Sequence, residues 1–359
     1  MRRRLSVLVL AGFLGAIVGA RGAEPEFADV RPGAALGFPA DEGAHPPFRT
    51  EWWYVTGWLR TQNGKPLGFQ VTFFRTRPGV DEANPSAFAA RELIIAHAAL
   101  SDPTQPRARH AERIARAVFG LAAAARGRTD VTLGDWRLSS AGPAFAASIR
   151  AEDFGFDLKL ARRGPVMSNG RGGYSRKGPA ETSASFYYSI PGLGVTGELI
   201  REGRSEPVTG EAWLDHEWSS AYLDPASVGW DWLGLNLGDG GALMAFRIRD
   251  ATGGARWAGG SLRSADGAVR ILAPGEVEFV PGRVWRSPHT GIRWPIDWTV
   301  RAGSLNFSLE PLLDDQESDS RLTTGAVYWE GAVTARGRGG TLGRGYLELT
   351  GYGEPLKLR

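Results

Sequence analysis

A strand–turn–strand unit occurs twice in this chain, and that repetition restricts the architectures open to it more than any other feature. "EWWYVTGWLRTQNGKPLGFQVTFFRTR", Glu51 to Arg77, reads as a strand, a turn at Asn63-Gly64 and a second strand. Asn-Gly favours the positive φ angles of a tight hairpin. In the second strand Phe69, Val71 and Phe73 alternate with Gln70, Thr72 and Phe74, which gives it two distinct faces. "WDWLGLNLGDGGALMAFRIRD", Trp230 to Asp250, repeats the layout with Gly-Asp-Gly-Gly at the turn. A shorter echo aligns "GEAWLD" (Gly210 to Asp215) with "GRGYLE" (Gly343 to Glu348). One echo opens each half and the other closes it. The pattern predicts two tandem β domains of one type, residues 48–224 and 225–359, after an irregular lead-in over 21–47. Each domain is expected to be a sheet curled toward a barrel, since closure removes exposed edges.

Composition agrees with an all-β class. The 49 Gly and 22 Pro imply many turns and few helices. One helical insertion is expected in the first domain, over about residues 104–126. There the Ala content is high, and Ile114, Val118, Leu121 and Ala125 are spaced by three and four, with Gly127 as the stop. It reads as a helix that covers a barrel mouth with solvated arginines, or as a mobile lid, or as a contact for an anionic surface. The glycine-rich basic loop that follows, with Arg171, Arg176 and Lys177, lacks the spacing of a phosphate loop. The stretch from Ser183 to Leu199 reads as two short strands around Pro191-Gly192.

The N-terminus reads as an address. Met1-Arg2-Arg3-Arg4 precedes an unbroken apolar run from Leu5 to Ala20, with Ala20 and Ala23 as cleavage options. This is the pattern of a secretory signal peptide, too short to be a membrane span. No later run is long enough for one, so no stable span is expected. The mature protein is expected in a periplasm or outside the cell. There is no cysteine, hence no disulfide frame. Loss of Arg2, Arg3 and Arg4 with the leader takes the formal charge from +3 to about zero. Such a surface is a poor partner for nucleic acid.

The densest chemistry lies in "GEAWLDHEWSS", Gly210 to Ser220. Acidic groups are seldom fully buried and indoles mostly are, so Trp213, Asp215, His216, Glu217 and Trp218 make an unusual neighbourhood. On a strand Asp215 and Glu217 share one face and His216 takes the other. A zinc site would need a distant partner such as His97, and no metal or other cofactor is expected. No Gly-x-Ser-x-Gly elbow or cysteine nucleophile is present. Aromatics crowd the strands that open and close the first domain: Trp52, Trp53, Tyr54, Trp58, Phe186, Tyr187, Tyr188, Trp213, Trp218, Trp230 and Trp232. Singly each is ordinary core. As a set, with one or two carboxylates, they suit a cavity for a long apolar ligand.

Several blocks in order, "EWWYVTGWL", "GGYSRKGP", "VTGEAWLDHEWSS", "GWDWLGLNL" and "GRGYLELTGY", resemble the hydroxyneurosporene synthase (carotenoid 1,2-hydratase) family and its secreted AttH-like relatives. The resemblance implies two lipocalin-like β-barrel domains and a cofactor-free hydration of a terpenoid-like lipid. The family's aromatic-x-acid element falls on Trp213 and Asp215. Its His-x-aromatic element falls on Phe186 and Tyr188, where Phe186 departs because a phenyl ring cannot move a proton.

The implied roles follow from that match. Asp215 is the acid, and its pKa must rise by roughly 3, about 4 kcal/mol, for it to be protonated near neutrality. Trp213 and Tyr188 face the carbocation. Glu217 or Tyr188 holds the attacking water, and His216 is a further candidate beside the acid. Trp52, Trp53, Tyr54, Trp58, Phe186, Trp218, Trp230 and Trp232 are the expected substrate contacts. Three other readings stand beside this one. Asp215 and Glu217 could pair with arginines at a domain interface. The protein could be a non-catalytic lipophile carrier partnered with an envelope transport system. A row of exposed indoles could form a sugar platform.

Overall fold

The computed structural model describes residues 26–357. The proposed leader over residues 1–20 lies outside the described residues. The chain is all-β. A 13-stranded sheet occupies Thr50–Thr61 through Arg204–Ser219, and a 10-stranded sheet occupies Ser227–Leu237 through Gly340–Leu349. A two-stranded ribbon pairs Val284–Arg286 with Arg293–Pro295. Every pairing within the two large sheets is antiparallel, as expected for hairpin connections.

The two hairpins form where the sequence placed them. Thr50–Thr61 pairs with Pro66–Thr76 around Gly64, whose φ of 75° needs a glycine. Ser227–Leu237 pairs with Ala242–Asp250 around Gly240, at φ 88°. In each sheet the opening strand is also bonded to the closing strand, Thr50–Thr61 to Arg204–Ser219 and Ser227–Leu237 to Gly340–Leu349. The far edges are then drawn together. Arg113, on the edge strand Arg109–Arg116, donates to the Arg150 carbonyl at 2.7 Å and pairs with Asp135. In the second sheet Arg247 reaches the Phe279 carbonyl at 3.2 Å. Both sheets are therefore barrel-like, an arrangement consistent with lipocalin-like domains.

Each barrel fills its own interior. Trp53, Val55, Phe69, Val71, Phe73, Leu214 and Trp218 belong to the first core. Leu233, Leu243, Trp294, Trp298, Trp329 and Leu347 belong to the second. A third cluster joins the outer faces of the barrels and includes Tyr54, Tyr187, Trp213, Trp232, Met244 and Phe246. Strand alternation explains it, because a strand apolar on both faces must be covered on both. Residues 26–47 pack across one end of the first barrel. There Trp53 Nε1 donates to the Glu42 carbonyl at 3.2 Å, and Arg162 pairs with Glu42 at 2.7 Å.

The expected helical insertion is not present. Residues 104–126 contain the strands Arg109–Arg116 and Ala122–Ala124, and the helical turns among the described residues are the short 3₁₀ segments Ala40–Glu42 and Pro274–Glu276. Ala111 and Ala115 alternate inward onto the first core, while Ile114 is 44% exposed. Pairing with Leu93–Ser101 outweighs the weak helical propensity of the Ala- and Arg-rich sequence. Phe119 and Gly120, both at positive φ, then turn the chain where the helix was expected to continue. The two short strands expected around Pro191-Gly192 are also one: Ala184–Arg201 is continuous, with a bulge between Ile190 and Leu193.

Candidate functional site

A cavity of about 260 Å³ lies between the outer faces of the two barrels. Trp52, Tyr54, Thr72 and Phe74 line it from the first hairpin. Trp230, Trp232, Phe246 and Ile248 line it from the second. The registers show why these pairs correspond. Tyr54 lies opposite Asp215 and Trp232 lies opposite Glu348, so the repeated hairpins present equivalent positions to one space. Trp52 and Trp230 stack with centroids 6.4 Å apart and planes at 22°.

The strand Arg204–Ser219 supplies the acids. Period-two alternation sends Trp213, Asp215 and Glu217 outward, and Leu214, His216 and Trp218 into the first barrel. Asp215 is 2% exposed. Its Oδ1 accepts from Ser189 Oγ at 2.5 Å and Trp213 Nε1 at 2.6 Å, and its Oδ2 accepts from Tyr187 Oη at 2.7 Å. Tyr187 Oη in turn accepts from Trp232 Nε1 at 2.9 Å. Burial pushes the Asp215 carboxyl up to about 7, against the hydrogen bonds from Ser189, Tyr187 and Trp213, which favour the ionised form. The neighbouring Glu217 charge adds to the rise. Asp215 has no cationic partner among the described residues. Glu217 has one, Lys177 Nζ at 2.9 Å, and also accepts from Ser185 Oγ. The Lys177 ammonium lies over the Phe246 ring at 4.3 Å and the Tyr187 ring at 4.7 Å.

The opposite wall carries two further carboxyls. Glu330, which is buried, and Glu348, which is half-buried, are directly cross-strand, and both line the cavity. Burial, followed by the Glu348 charge, pushes Glu330 well above the carboxylate range. Burial raises Glu348 to about 7 against a hydrogen bond from Trp230, and the charges of Glu217 and Asp215 contribute to the rise.

A separate polar network lies inside the first barrel. Glu51 Oε1 meets His45 Nδ1 at 2.6 Å and His216 Nε2 at 2.8 Å, while its Oε2 accepts from Arg75 Nε at 2.8 Å. Burial opposes the Glu51 charge, yet the two histidines hold its carboxyl far below the usual range. Tyr188 Oη lies 3.1 Å from His216 Nδ1. The ligand atoms of His45, Glu51 and His216 fall within 4.8 Å of one another, the spacing of a metal site. The guanidinium on Glu51 opposes a cation there, and we read the group as an ion-pair network. His97, the distant zinc partner considered above, is elsewhere: its ring meets Tyr328 Oη at 2.6 Å and Thr323 Oγ1 at 2.9 Å.

The sequence profile of the AttH-like family matches residues 29–352. The chain belongs to the AttH-like family. The crystal structure of an AttH homologue from Nitrosomonas europaea is 50% identical, covering 91% of this chain and all of that one, with a TM-score of 0.85. Kievitone hydratase from Nectria haematococca shares the fold at 14% identity and a TM-score of 0.69, over 93% of this chain and 98% of the other. CghA with Sch210972 follows at 12% identity and a TM-score of 0.52, over 92% and 98%. No curated protein sequence matches significantly.

Within this AttH-like chain the expected site residues divide between two places. Asp215 and Glu217 line the interbarrel cavity with Trp52, Tyr54, Trp230 and Trp232, and Trp213 bonds the acid. Trp58 sits farther along the interface, donating to the Gly345 carbonyl at 3.1 Å. His216, Tyr188, Trp53, Phe186 and Trp218 lie on the other face, in the first barrel. Tyr188 therefore cannot hold water against Asp215, and the tyrosine that touches the acid is Tyr187. Glu217 pairs with a lysine instead of an arginine. Lys177, Ser185, Ser189, Glu330 and Glu348 were not among the expected residues. The Gly-x-x-Tyr-Leu-Glu echo was the one sequence signal that pointed toward Glu348.

Proposed function

We propose that this AttH-like chain is a cofactor-free hydro-lyase of the carotenoid 1,2-hydratase type, which adds water to an alkene of a terpenoid-like lipid in the interbarrel cavity. One observation carries the reading: the Asp215 carboxyl lies buried in an aromatic cavity without a cationic partner among the described residues, and burial pushes it up to about 7. Hydration needs a strong, positioned acid, and an uncharged carboxylic acid is that group. The Asp215 proton reaches the cavity through Tyr187. The phenol can accept from Oδ2 while Trp232 Nε1–H supports its oxygen, and it can donate its own proton outward. Proton transfer to one alkene carbon leaves a carbocation at the other. Trp52, Trp230 and Trp232 offer ring faces worth roughly 0.5–2 kcal/mol each to such a cation. Water then bonds the cation and releases a proton. A named hydratase on the same fold is compatible with this chemistry, though at 14% identity the likeness is one of fold.

We place the mature chain in the periplasm or outside the cell, on the strength of the charged start and the Leu5 to Ala20 run. A second reading, a non-catalytic lipophile carrier serving an envelope transport system, is favoured by the three protein donors that already occupy the Asp215 oxygens. Incubation of the mature protein and its Asp215→Asn variant with acyclic carotenes and shorter isoprenoids in ¹⁸O-labelled water separates the two. A labelled alcohol formed only by the native protein supports hydration. No product, with equal lipid retention by both forms, supports carriage.

A further inference from the structure

The two halves of the cavity are equivalent in position and different in chemistry. Asp215 and Glu348 close the two echoed segments and occupy matching places in their sheets. Ser189 is the cross-strand partner of Asp215, and its hydroxyl donates to the acid at 2.5 Å. The matching partner of Glu348 is Glu330. Where the first half has a hydroxyl, the second half holds two acids face to face with no salt bridge to either among the described residues. Two ionised carboxylates directly opposite on neighbouring strands would repel, and burial without a cation keeps both from ionising together. An apolar pair would hold two sheets together at less cost.

Two polar atoms at this place have no well-formed hydrogen bond. Glu330 Oε1 and Tyr54 Oη are buried neighbours that face each other at the cavity, close enough to influence each other's proton but outside hydrogen-bond geometry. Tyr54 is directly cross-strand from Asp215. The unfilled Tyr54 hydroxyl therefore stands beside the acid on the first sheet, and the unfilled Glu330 acceptor faces it from the second. The smallest species that satisfies both is a hydroxyl-bearing one: it donates to Glu330 and accepts from Tyr54.

We propose that Glu330, Glu348 and Tyr54 form the site that holds the water added to the substrate, with the carboxyl pair, which shares one negative charge between its two groups, taking the proton this water gives up. This rests on the hydration reading above. The balance is complete. Asp215, through Tyr187, gives one proton to an alkene carbon. The water oxygen bonds the adjacent cationic carbon, and one water proton passes to the carboxyl pair. The product is the alcohol. Exchange with solvent after product release returns the proton to Asp215 and removes it from the pair, so no other reactant is consumed. Acid and base then come from different halves of the chain, and the substrate alkene lies between them.

The test separates protonation from water capture. With acyclic carotenes and shorter isoprenoids as probes in D₂O, reversible protonation places deuterium in recovered alkene. In ¹⁸O-labelled water, capture places label in alcohol. Wild type is expected to do both, and Asp215→Asn neither. Glu330→Gln is expected to keep deuterium uptake while ¹⁸O incorporation falls about 100-fold, the usual contribution of a positioned base. Glu330→Asp, which keeps the carboxyl, is expected to recover part of it. Native-rate ¹⁸O incorporation by Glu330→Gln overturns this inference and leaves the hydration reading standing. Equal loss of both labels in a Glu330→Gln protein with native near-ultraviolet circular dichroism overturns the division of labour. No label of either kind from wild type overturns the hydration reading, and this inference with it.

Discussion

Tyr187 and Tyr188 are consecutive residues whose hydroxyls serve different compartments: the first bonds Asp215 at 2.7 Å and the second meets His216 at 3.1 Å. Their substitutions should therefore separate. Tyr187→Phe removes the group between the acid and the cavity, and hydration turnover should fall roughly 100-fold. Tyr188→Phe removes a buried hydroxyl, at about 1 kcal/mol of stability, and should leave turnover near native. Paired urea denaturation and product assays check both.

The buried acid ties stability to pH. The Asp215 pKa is raised by folding, so its contribution is fully present below the unfolded value near 3.8 and is lost as pH rises through about 7. Glu217, Lys177, Tyr187, Ser189, Trp213 and Glu348 are the polar and charged groups around it. Relative to Asp215→Asn, the native protein should lose on the order of 4 kcal/mol between pH 4 and pH 8. Urea midpoints of the two proteins across that range test this. Hydration activity should decline above pH 7 for the same reason.

Lys177 and Glu217 form a buried pair, 2.9 Å apart. Removing one charge strands the other, so Lys177→Met should cost about 3–5 kcal/mol. The double variant Lys177→Met/Glu217→Gln should recover much of that loss. A double-mutant cycle by chemical denaturation gives the coupling directly.

His45 and His216 share one carboxylate yet shift in opposite directions. Burial opposes the His45 charge, but hydrogen bonds from its ring to Asp41 and Glu51 raise its pKa, while burial lowers that of His216 despite Glu51. The stability His45 supplies is present below pH 6.5 and lost as pH rises through its higher folded value. NMR titration should find His45 above 6.5 and His216 below it. Asp41→Asn should move His45 down. The reverse order would show that the 2.6 Å contact between His45 and Glu51 carries no charge.

Much of the fold was legible because turns and alternation are local. Asn63-Gly64 and the Phe69, Val71, Phe73 series fix a hairpin without distant information. The stretch from Arg109 to Arg116 misled for the opposite reason: spacing by three and four competes with alternation there, and only pairing with Leu93–Ser101 decides. The site was half legible. Asp215 and its indoles share one segment, so their proximity could be read. Tyr188 in place of Tyr187 is a slip of one residue, and on a strand such a slip changes the face. Glu330 stood out by nothing in its own segment. Its meaning comes from lying opposite Glu348, a relation set by register alone.

The interiors of both barrels are filled, and the cavity lies against their outer walls. A lone barrel of this type would present Trp52, Tyr54 and Asp215 as an open surface, wetted and with an ordinary acid. Only the second barrel, laid against the first, excludes water from that surface and adds to the burial that lifts the carboxyl. The second half of the chain does more than lengthen it. It turns an exterior into an interior.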